Sequence, residues 1–499
     1  MEKRATSVKI LKSETNKLKD NALLIGFFKD RLELSNEIKK LDKELGNIIA
    51  SCIKNKDFRG EDRELKNIYT NKYIKNIILA GLGEEEKYSF DVLSAVIADA
   101  SKKLRDNGTE SFSILLDSFN NDKFKEEELV EKTVLSSLMG LYKFTEYKTK
   151  EDDKIKYIRL VTIITNSNKK FEKEIEYASV VAGAVNKTRD LINTPPNVAT
   201  PEYVANRAKD IAGKNKQKCT VFDEARIKKM KMGCFIGVAQ GSANKPKFVV
   251  LEYNVAKGQK PIAIVGKGVT FDSGGLNVKP YPYILNMKDD KGGAVAAIHI
   301  IGACSKLKLP LNLIVAAPLC ENMIDAASYR PDDVLTAYNG MTVEIKNTDA
   351  EGRLILADAL SYVAEMKPQV IIDIATLTGA SSIVLGYVGT PFVCTDDILR
   401  KKLNDASAKS LEKLWELPLW QEYEESLKSD VADVKHIGDD GEAGVITAAM
   451  FLKNFVNDIK WAHIDIGTTV WSKVDKGILT KGATGATVRL MMELLREWK

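Results

Sequence analysis

The sequence predicts an α/β fold in two parts: a small N-terminal α/β domain plus a larger α/β/α domain with a central, mostly parallel sheet. A chain of 499 residues is too long for one compact core, so we expect two domains. The second part alternates continuous apolar runs with helical patterns, as parallel strands covered on both faces do. With 44% hydrophobic and 29% charged residues, the composition is typical of a globular protein.

Residues 1–165 alternate strand-like runs with helical patterns, as a small α/β domain does. The expected strands are NALLIGFF (21–28), IKNIILAGLG (74–83), SFSILLD (111–117) and IRLVTIIT (158–165). An example of the expected helices is FDVLSAVIADASKKL (90–104), in which apolar residues recur at helical spacing. The glycines of AGLGEEE carry neither a GxGxxG pattern nor a Walker lysine, so we interpret them as a plain turn. We assign 1–165 to the small domain and find no catalytic motif in it.

A long helical pattern runs from about Lys170 to Ile192 and stops at NTPPN, because the residue before a proline avoids helical angles. We assign 166–192 to a linker helix and 193–499 to the larger domain. Its expected strands are KFVVLEY (247–253), PIAIVGKG (261–268), LNLIVAAPL (311–319), PQVIIDIATL (368–377) and WAHIDI (461–466). Its expected helices are GGAVAAIHIIGACSKL (292–307), EGRLILADALSYVAEM (351–366), AGVITAAMFLKNFV (443–456) and TVRLMMELLREW (487–498).

The segment NTDAEGRL (347–354) carries two carboxylates and a guanidinium within five residues. If its backbone is extended, Asp349, Glu351 and Arg353 project from one face of the strand. Like charges held side by side require a compensating cation, and a metal ion is the obvious one. The commoner role of a short acidic motif is a solvated turn that caps the following helix. The neighbouring segments decide against that alternative.

Two further segments carry charged residues into glycine-rich turns. VGKGVTFDSGGLNVKP (265–280) and MKDDKGG (287–293) supply Lys267, Asp272, Lys279 and Asp290. Glycines allow the backbone to approach an ion or a substrate closely.

The position of these residues along the predicted strands suggests that they meet. Lys267 and Asp272 follow the run PIAIV, Thr376 follows PQVIIDIA, and Asp349 follows TVEIKN. Ligands of open α/β sheets bind beyond the carboxyl ends of the strands. We therefore expect these residues at one edge of the sheet.

Together with NTDAEGRL, these segments resemble the M17 leucine aminopeptidase family, cytosolic exopeptidases with two metal ions. The resemblance continues through NTPPNVATPEYVA (193–205), APLCENM (317–323), YRPDDVLTAYNG (329–340), ATLTGA (375–380) and WAHIDIG (461–467). It covers the chain from Thr188 onward and is weak in the N-terminal third. It implies a metal-dependent aminopeptidase that releases N-terminal amino acids, preferentially leucine and other apolar residues, by two-metal hydrolysis.

Four carboxylates carry about four negative charges at neutral pH, and two divalent cations would neutralise them. The resemblance implies that Asp272 and Glu351 bridge two ions, Mn²⁺ or Zn²⁺. It implies that Asp290 and Lys267 complete one metal site. Asp349 would complete the other through its side chain and its carbonyl.

The resemblance also implies catalytic and substrate-binding roles. Lys279 would polarise the scissile carbonyl, and Arg353 would hold a bicarbonate that acts as general base. Taken alone, Lys267 or Lys279 would be an ordinary surface lysine, but their positions in the motif favour a functional role. The implied pocket for the first side chain suits an apolar group, and the alternative interpretation of each position is packing alone. Its positions are Met287, Asn347, Thr376, Leu377 and Gly379.

The few histidines restrict the kind of metal site. Only His299, His436 and His463 exist, so a site must rest on carboxylates, which favours manganese or magnesium alongside zinc. We interpret His299 and His463 as core residues. The six cysteines lie far apart without a CxxC pair, which predicts free thiols in a reducing compartment.

Two positions depart from the family pattern. Lys291 follows Asp290 where the family usually has methionine, and we expect it to add a positive charge beside the metal site. Asp332 stands in RPDD where glycine is usual, which suggests a changed loop conformation.

The resemblance implies peptide substrates with a free N-terminus and a homohexamer whose active sites face a central cavity. A net charge of +5, from 74 basic and 69 acidic residues, is too dilute to indicate nucleic acid. The N-terminus lacks the apolar run of a signal peptide, and no run reaches the approximately 18 residues of a membrane span, so we expect a cytoplasmic protein.

One alternative function is a DNA-binding regulator, which the mixed charges of 1–165 do not favour. Another is a catalytically silent hexamer, which the retained ligand residues argue against.

Overall fold

The computed structural model describes residues 6–12, 20–150, 157–438 and 441–498. It divides into two compact units. The first comprises Met1–Gly183 and Lys473–Thr480, and the second comprises Ala184–Ser472 and Lys481–Lys499. The division falls inside the helix that the sequence predicts from about Lys170, which begins at Glu172 and ends at Asn193.

The first unit contains a six-stranded sheet and helices. Its strands are β1 (Ser7–Leu11), β2 (Ala22–Phe27), β3 (Leu65–Tyr69), β4 (Asn76–Gly81), β5 (Ser111–Leu115) and β6 (Leu160–Ile164). Its helices are α1 (Asn36–Leu45), α2 (Ile48–Lys54), α3 (Phe90–Asp106), α4 (Glu126–Gly140) and the start of α5 (Glu172–Asn193). The strand order is β1-β6-β5-β2-β4-β3, parallel throughout except for β3 against β4. The apolar strands β2 and β4 are buried along their whole length.

A short segment late in the sequence belongs to the first unit. The backbone N–H of Gly477 donates to Asp99 Oδ1 at 2.7 Å. Lys102 pairs with Asp475 and donates to the carbonyl of Leu479 at 2.8 Å. Residues 473–480 therefore contact α3, although they lie far from it in sequence.

The second unit contains the remaining elements. Its strands are β7 (Lys218–Phe222), β8 (Lys247–Asn254), β9 (Ile262–Gly266), β10 (Gly268–Asp272), β11 (Asn312–Asn322), β12 (Val334–Thr336), β13 (Thr342–Glu344), β14 (Val370–Ala375), β15 (Thr390–Cys394), β16 (Leu414–Glu416), β17 (Val434–Lys435), β18 (Lys460–Asp465), β19 (Trp471–Ser472) and β20 (Gly482–Ala483). Its helices after α5 are α6 (Pro201–Lys214), α7 (Glu224–Lys229), α8 (Gly233–Ala239), α9 (Gly292–Lys306), α10 (Glu351–Glu365), α11 (Ala380–Leu385), α12 (Asp397–Ser410), α13 (Gly444–Lys453) and α14 (Val488–Arg496).

A nine-stranded sheet forms the centre of the second unit. Its order is β16-β15-β18-β14-β9-β11-β8-β7, with β10 paired to β11. The pairs β14–β18, β14–β9, β9–β11, β10–β11 and β15–β16 are parallel, whereas β15–β18, β11–β8 and β7–β8 are antiparallel. All residues of β9 and β14 are buried, as expected for apolar strands in the middle of a sheet. The predicted fold class is confirmed.

The acidic segment is a turn followed by the start of the helix that the sequence predicts over 351–366. Residues Thr348–Ala350 form a 3-10 turn, and α10 begins at Glu351, so the segment is not extended. The side chain of Asn347 accepts the N–H of Asp349 at 2.8 Å and so starts the turn. The preceding strand, β13, belongs to a separate three-stranded sheet with β12 and β17. Asp349 therefore follows a strand, as expected, but that strand lies outside the main sheet.

Within the described ranges, no helix combines the length and the apolar character needed to cross a membrane. All six cysteines are free thiols, and all except Cys219 are buried.

Candidate metal and catalytic site

Five candidate residues come from elements that end or begin at one place in the second unit. Lys267 directly follows β9, Asp272 ends β10, and Thr376 directly follows β14. Asp290 lies in a 3-10 turn, Met287–Lys291, immediately before α9, and Glu351 is the first residue of α10. The carboxyl ends of parallel strands thus meet the N-termini of two helices, where positive helix dipoles favour carboxylates.

Three carboxylates form a buried cluster. Oxygen atoms of Asp272, Asp290 and Glu351 lie within 4.8 Å of one another, and all three side chains are buried. Burial raises the pKa of Asp290 and of Glu351, and repulsion by Asp272 raises both further. Oδ2 of Asp290 accepts no hydrogen bond from any described residue. A buried set of hard oxygen donors with a free oxygen fits a divalent cation.

Lys267 lies inside this cluster. Its Nζ is 2.7 Å from Asp290 Oδ1 and 2.8 Å from Glu351 Oε1, and it donates to the carbonyl of Thr376 at 2.7 Å. Burial lowers the pKa of the ammonium, but the carboxylates of Asp290, Glu351 and Asp272 outweigh burial and raise it overall. The ammonium of Lys267 therefore offsets part of the negative charge of the cluster.

The absence of side chains at two glycines makes room for Lys267 and for the close packing of the helices around it. A Cβ on Gly352 would lie 2.6 Å from Cε of Lys267, closer than real atoms approach. A Cβ on Gly293 would lie 2.0 Å from the carbonyl oxygen of Ile374, so α9 could not lie this close to β14. These two glycines allow the starts of α10 and α9 to approach the strand ends.

Lys279 joins the cluster to Asp349. Its Nζ is 2.8 Å from Asp272 Oδ2 and 2.5 Å from Asp349 Oδ1. Burial lowers the pKa of Lys279, but Asp272, Glu351 and Asp349 raise it overall, so the residue is a charged donor. Asp349 is the most exposed of the four carboxylates, with 32% of its side chain accessible, so it lies on the open side of the cluster.

Arg353 lies in the first turn of α10, beside the cluster. Its Nη1 donates to the carbonyl of His436 at 2.8 Å, while its Nε has no hydrogen-bond partner in the described part of the chain. Burial lowers the pKa of Arg353 to about 10, which leaves the guanidinium charged at neutral pH. An unpaired buried donor on a cation is a suitable contact for an anion.

The expected pocket residues differ in their contacts. Thr376 Oγ1 donates to Asp290 Oδ1 at 2.6 Å, and Asn347 caps the turn that carries Asp349. The side chain of Leu377 packs against the apolar core, and its N–H donates to Asp465 Oδ1 at 3.1 Å. The structure therefore brings Thr376 and Asn347 to the carboxylates and turns Leu377 toward the core.

The remaining two pocket positions are more accessible. Met287 is half-buried and begins the turn that holds Asp290. Gly379 is exposed just before α11, and no atom lies within 4 Å of the position of a Cβ there. Both leave open space beside the site.

The ammonium of Lys291 forms hydrogen bonds with main-chain carbonyls and not with the carboxylates of the cluster. Its Nζ donates to the carbonyls of Lys288, Ile192 and Thr194 at 2.5, 3.2 and 3.3 Å, and the side chain is fully buried. Burial lowers the pKa of this ammonium to about 7. Lys291 thus connects the turn that carries Asp290 to the end of α5 and to the residues that follow that helix.

Asp332 has a backbone φ of 70°, in the left-handed region that glycine favours. Aspartate tolerates this region better than most residues do, so the loop keeps a glycine-like conformation. Its side chain is 81% exposed and pairs with Lys346 at 3.2 Å. The expected change of loop conformation is not needed to explain the substitution.

Three residues that the sequence analysis did not assign support the site. Asn322 ends β11 and donates to Asp272 Oδ1 at 2.9 Å. Asp465 ends β18 and accepts from Oγ1 of Thr378 at 2.6 Å and from the N–H of Leu377. Both Asn322 and Asp465 are polar residues at the end of a largely apolar strand, and this pattern could have identified them from the sequence.

His436 is the third of these residues. Its Nε2 lies 2.9 Å from the carbonyl oxygen of Asn347, and its own carbonyl accepts from Arg353. Burial lowers the pKa of His436 to about 4, so the ring is neutral at pH 7. His436 lies in a segment of polar and apolar residues without a recognisable pattern, so its role could not be predicted from the sequence.

Both parts of the chain are similar to domains of one known family. Residues 186–492 match the catalytic domain of the cytosol aminopeptidase family, and residues 24–151 match the N-terminal domain of the same family. A probable cytosol aminopeptidase of Geobacter sp. is 36% identical over 481 residues, which cover 95% of this chain and 96% of the relative. One from Alkaliphilus metalliredigens is 36% identical over 496 residues, covering 98% and 99%.

Two solved structures are similar over nearly their full length. A tomato leucine aminopeptidase mutant aligns with a TM-score of 0.89 and 30% identity, covering 99% of this chain and 97% of that one. A bottromycin maturation enzyme in complex with Mn aligns with a TM-score of 0.85 and 27% identity, covering 96% and 99%. The matches to both domains and to full-length relatives leave one conclusion: the chain belongs to the M17 cytosol aminopeptidase family, metal-dependent hydrolases that remove N-terminal amino acids from peptides.

Proposed function

We propose that this chain is a cytoplasmic leucyl aminopeptidase with two divalent metal ions per subunit. Its preferred substrates are peptides that begin with leucine or another apolar residue and have a free N-terminus. The observation that carries the proposal is the buried cluster of Asp272, Asp290 and Glu351 with an unpaired carboxylate oxygen. The Mn bound to the similar bottromycin maturation enzyme supports Mn²⁺, with Zn²⁺ as the other candidate.

Five residues would hold the metals in this proposal. Asp272 and Glu351 would be shared by the two ions, with Asp290 and Lys267 as further ligands of one and Asp349 as a further ligand of the other. When bound, divalent ions of this kind supply Lewis-acid chemistry for the carbonyl and lower the pKa of water.

Lys279 is the group that we assign to the scissile carbonyl. It is a charged donor, only 16% of its side chain is exposed, and it stands between Asp272 and Asp349. A donor positioned in advance stabilises negative charge that develops on the carbonyl oxygen.

Arg353 is the group that we assign to a bicarbonate. Its Nε is buried and unpaired, and an oxyanion would satisfy it. A bicarbonate held by Arg353 would supply a general base, a role for which the described site provides no free histidine: both ring nitrogens of His436 contact main-chain groups.

The first side chain of the substrate would lie beside Met287, Asn347, Thr376 and Gly379, and Leu377 would contribute only its main chain because its side chain packs against the core. The space at Gly379 and the flexible thioether of Met287 suit an apolar group of variable shape. Anchoring of the free α-amine at the metal cluster would restrict cleavage to the first peptide bond.

We propose further that the protein is a homohexamer and binds neither membrane nor nucleic acid, as the family resemblance and the dilute charge suggest. We also propose residues 1–165, 166–192 and 193–499 as N-terminal domain, linker helix and catalytic domain.

The test is hydrolysis of leucyl and alanyl anilides by metal-stripped protein to which Mn²⁺, Zn²⁺, Co²⁺ or Mg²⁺ is added singly. We expect no turnover without metal, restored turnover with at least one ion, and faster cleavage of the leucyl substrate. N-acetyl-leucyl anilide is the matched control and should resist. Equal turnover of acetylated and free substrates would contradict amine anchoring, and metal-independent turnover would contradict the metal mechanism.

A further inference from the structure

A buried polar group in the middle of the main sheet has no role in the site described above. Asp373 of β14 and His463 of β18 are partners in the strand register. Nδ1 of His463 lies 2.6 Å from Asp373 Oδ1, and the indole N–H of Trp461 donates to Asp373 Oδ2 at 2.7 Å. All three side chains are fully buried. Asp373 therefore fixes the orientation of the imidazole.

The opposite nitrogen of this imidazole is unsatisfied. Nε2 of His463 has no hydrogen-bond partner in any described range, and the residue is 0% exposed. Buried polar atoms are rarely left without a partner, so each exception needs an explanation. Nε of Arg353 is a second buried atom of this kind.

His463 and Arg353 lie on the same side of the sheet. Ile371 of β14 and Trp461 of β18 belong to the apolar cluster that includes Leu354 of α10. Alternate residues of a strand face the same side, so His463, two residues after Trp461, also faces α10. Arg353 lies in the first turn of that helix.

The charges around His463 favour a proton on Nε2. Burial lowers the pKa of His463, but Asp373 and Asp465 raise it, and the overall direction is upward despite the opposing charge of Arg353. With Nδ1 directed at a carboxylate, the remaining nitrogen of an imidazolium is a donor. Two unpaired donors, Nε2 of His463 and Nε of Arg353, thus belong to one buried region.

We propose that Nε2 of His463 is a second donor to the small oxyanion on Arg353, with Asp373 as the residue that positions the imidazole. The inference rests on the proposed function, which assigns a bicarbonate to Arg353. An anion of the carbonate class has enough oxygen atoms to accept from both nitrogens and so accounts for both unsatisfied atoms.

The experiment compares metal-loaded wild type with two variants. His463→Phe keeps a ring and removes both nitrogens, and Asp373→Asn removes the orienting charge. The matched control is His299→Phe on α9, a buried imidazole whose Nδ1 contacts the carbonyl of Val295 at 2.9 Å. The readouts are the bicarbonate concentration for half-maximal stimulation of leucyl-anilide hydrolysis, the bicarbonate-induced shift in melting temperature, and metal content by mass spectrometry.

We expect His463→Phe to keep its metals and to need about tenfold more bicarbonate or higher, as for loss of one charge-assisted hydrogen bond. Asp373→Asn should show a smaller increase, and His299→Phe should respond like wild type. A purely structural role would instead change metal content and melting temperature without changing the half-saturating bicarbonate concentration.

Three results would overturn the inference: a wild-type bicarbonate response in His463→Phe, a wild type that does not respond to bicarbonate, or metal loss in step with the bicarbonate defect. If His463→Phe does not fold, Asp373→Asn decides, and a wild-type response there rejects the proposal. A protein with no hydrolysis under any metal would reject the proposed function instead. The bicarbonate-induced shift in melting temperature would still test His463.

Discussion

The first turn of α10 passes so close to Lys267 that a Cβ on Gly352 would lie 2.6 Å from Cε and 2.7 Å from Nζ of the lysine. We predict that Gly352→Ala displaces the ammonium from Asp290 and Glu351 and reduces turnover roughly tenfold or more, because overpacking costs ~1–3 kcal/mol. Metal content, measured beside turnover, should fall. Gly213→Ala is the control, since nothing lies within 4 Å of its Cβ position in α6. Unchanged metal content and turnover in Gly352→Ala would show that the lysine moves without cost.

The two lysines of the site should respond differently to arginine. A lysine that binds a metal must be neutral, which nearby cations enforce by lowering its pKa, whereas arginine stays protonated. We predict that Lys267→Arg loses one metal per subunit. Lys279→Arg should keep both metals and lose ~2–4 kcal/mol of transition-state stabilisation, as for a lost oxyanion donor.

Mass spectrometry of the metal content and steady-state rates on leucyl anilide would distinguish the two lysine variants. Two tightly bound metals with normal turnover in Lys267→Arg would refute the ligand role of Lys267.

Lys291 should have little influence on the preference for the first residue, because its ammonium bonds main-chain carbonyls rather than the carboxylate cluster. We predict that Lys291→Met keeps its metals. The ratio of kcat/KM for leucyl and glutamyl anilides should change by less than about threefold, under ~0.7 kcal/mol. A larger change in that ratio would mean that the ammonium reaches the substrate.

His299 should make the protein sensitive to acid. Burial lowers the pKa of His299 to about 4, and the charge of Lys187 adds to the effect. The unfolded chain then binds more protons between about pH 4 and 6.5, so the stability contributed by this residue is lost as pH falls through that range.

The measurement is the free energy of unfolding of wild type and His299→Gln by denaturant titration. Between pH 7 and pH 4, we predict that wild type loses up to ~3 kcal/mol more free energy of unfolding than His299→Gln does. A difference that stays constant with pH would rule out His299 as the titrating group.

The sequence predicted the strands that are buried along nearly their whole length. β9 is a continuous apolar run, and β14 and β18 are largely apolar, because both of their faces are covered; this pattern is readable without a structure. The strand β7 is half-buried, and β15 contains a proline, so neither carried a clear pattern. Helix α6 was missed although Thr200 and Pro201 are a typical helix start.

The composition of the carboxylate cluster could be predicted, but its geometry could not. Local spacing suggested an extended acidic triplet, whereas the cap at Asn347 turns the chain into a helix. The contact between Asp373 and His463 depends on which strands pair and in which register, and neither is encoded locally. Sequence reasoning therefore placed His463 in the core without finding its unsatisfied nitrogen.

The contact between Asp99 and Gly477 has a consequence for the order in which the chain folds during synthesis. The ribosome makes the N-terminus first, so every strand up to β18 has been translated before Gly477 leaves the exit tunnel. The first unit, begun earliest, therefore receives its last segment only after most of the second has been made. A nascent chain released before residue 473 leaves Asp99 and Lys102 without their contacts from this segment.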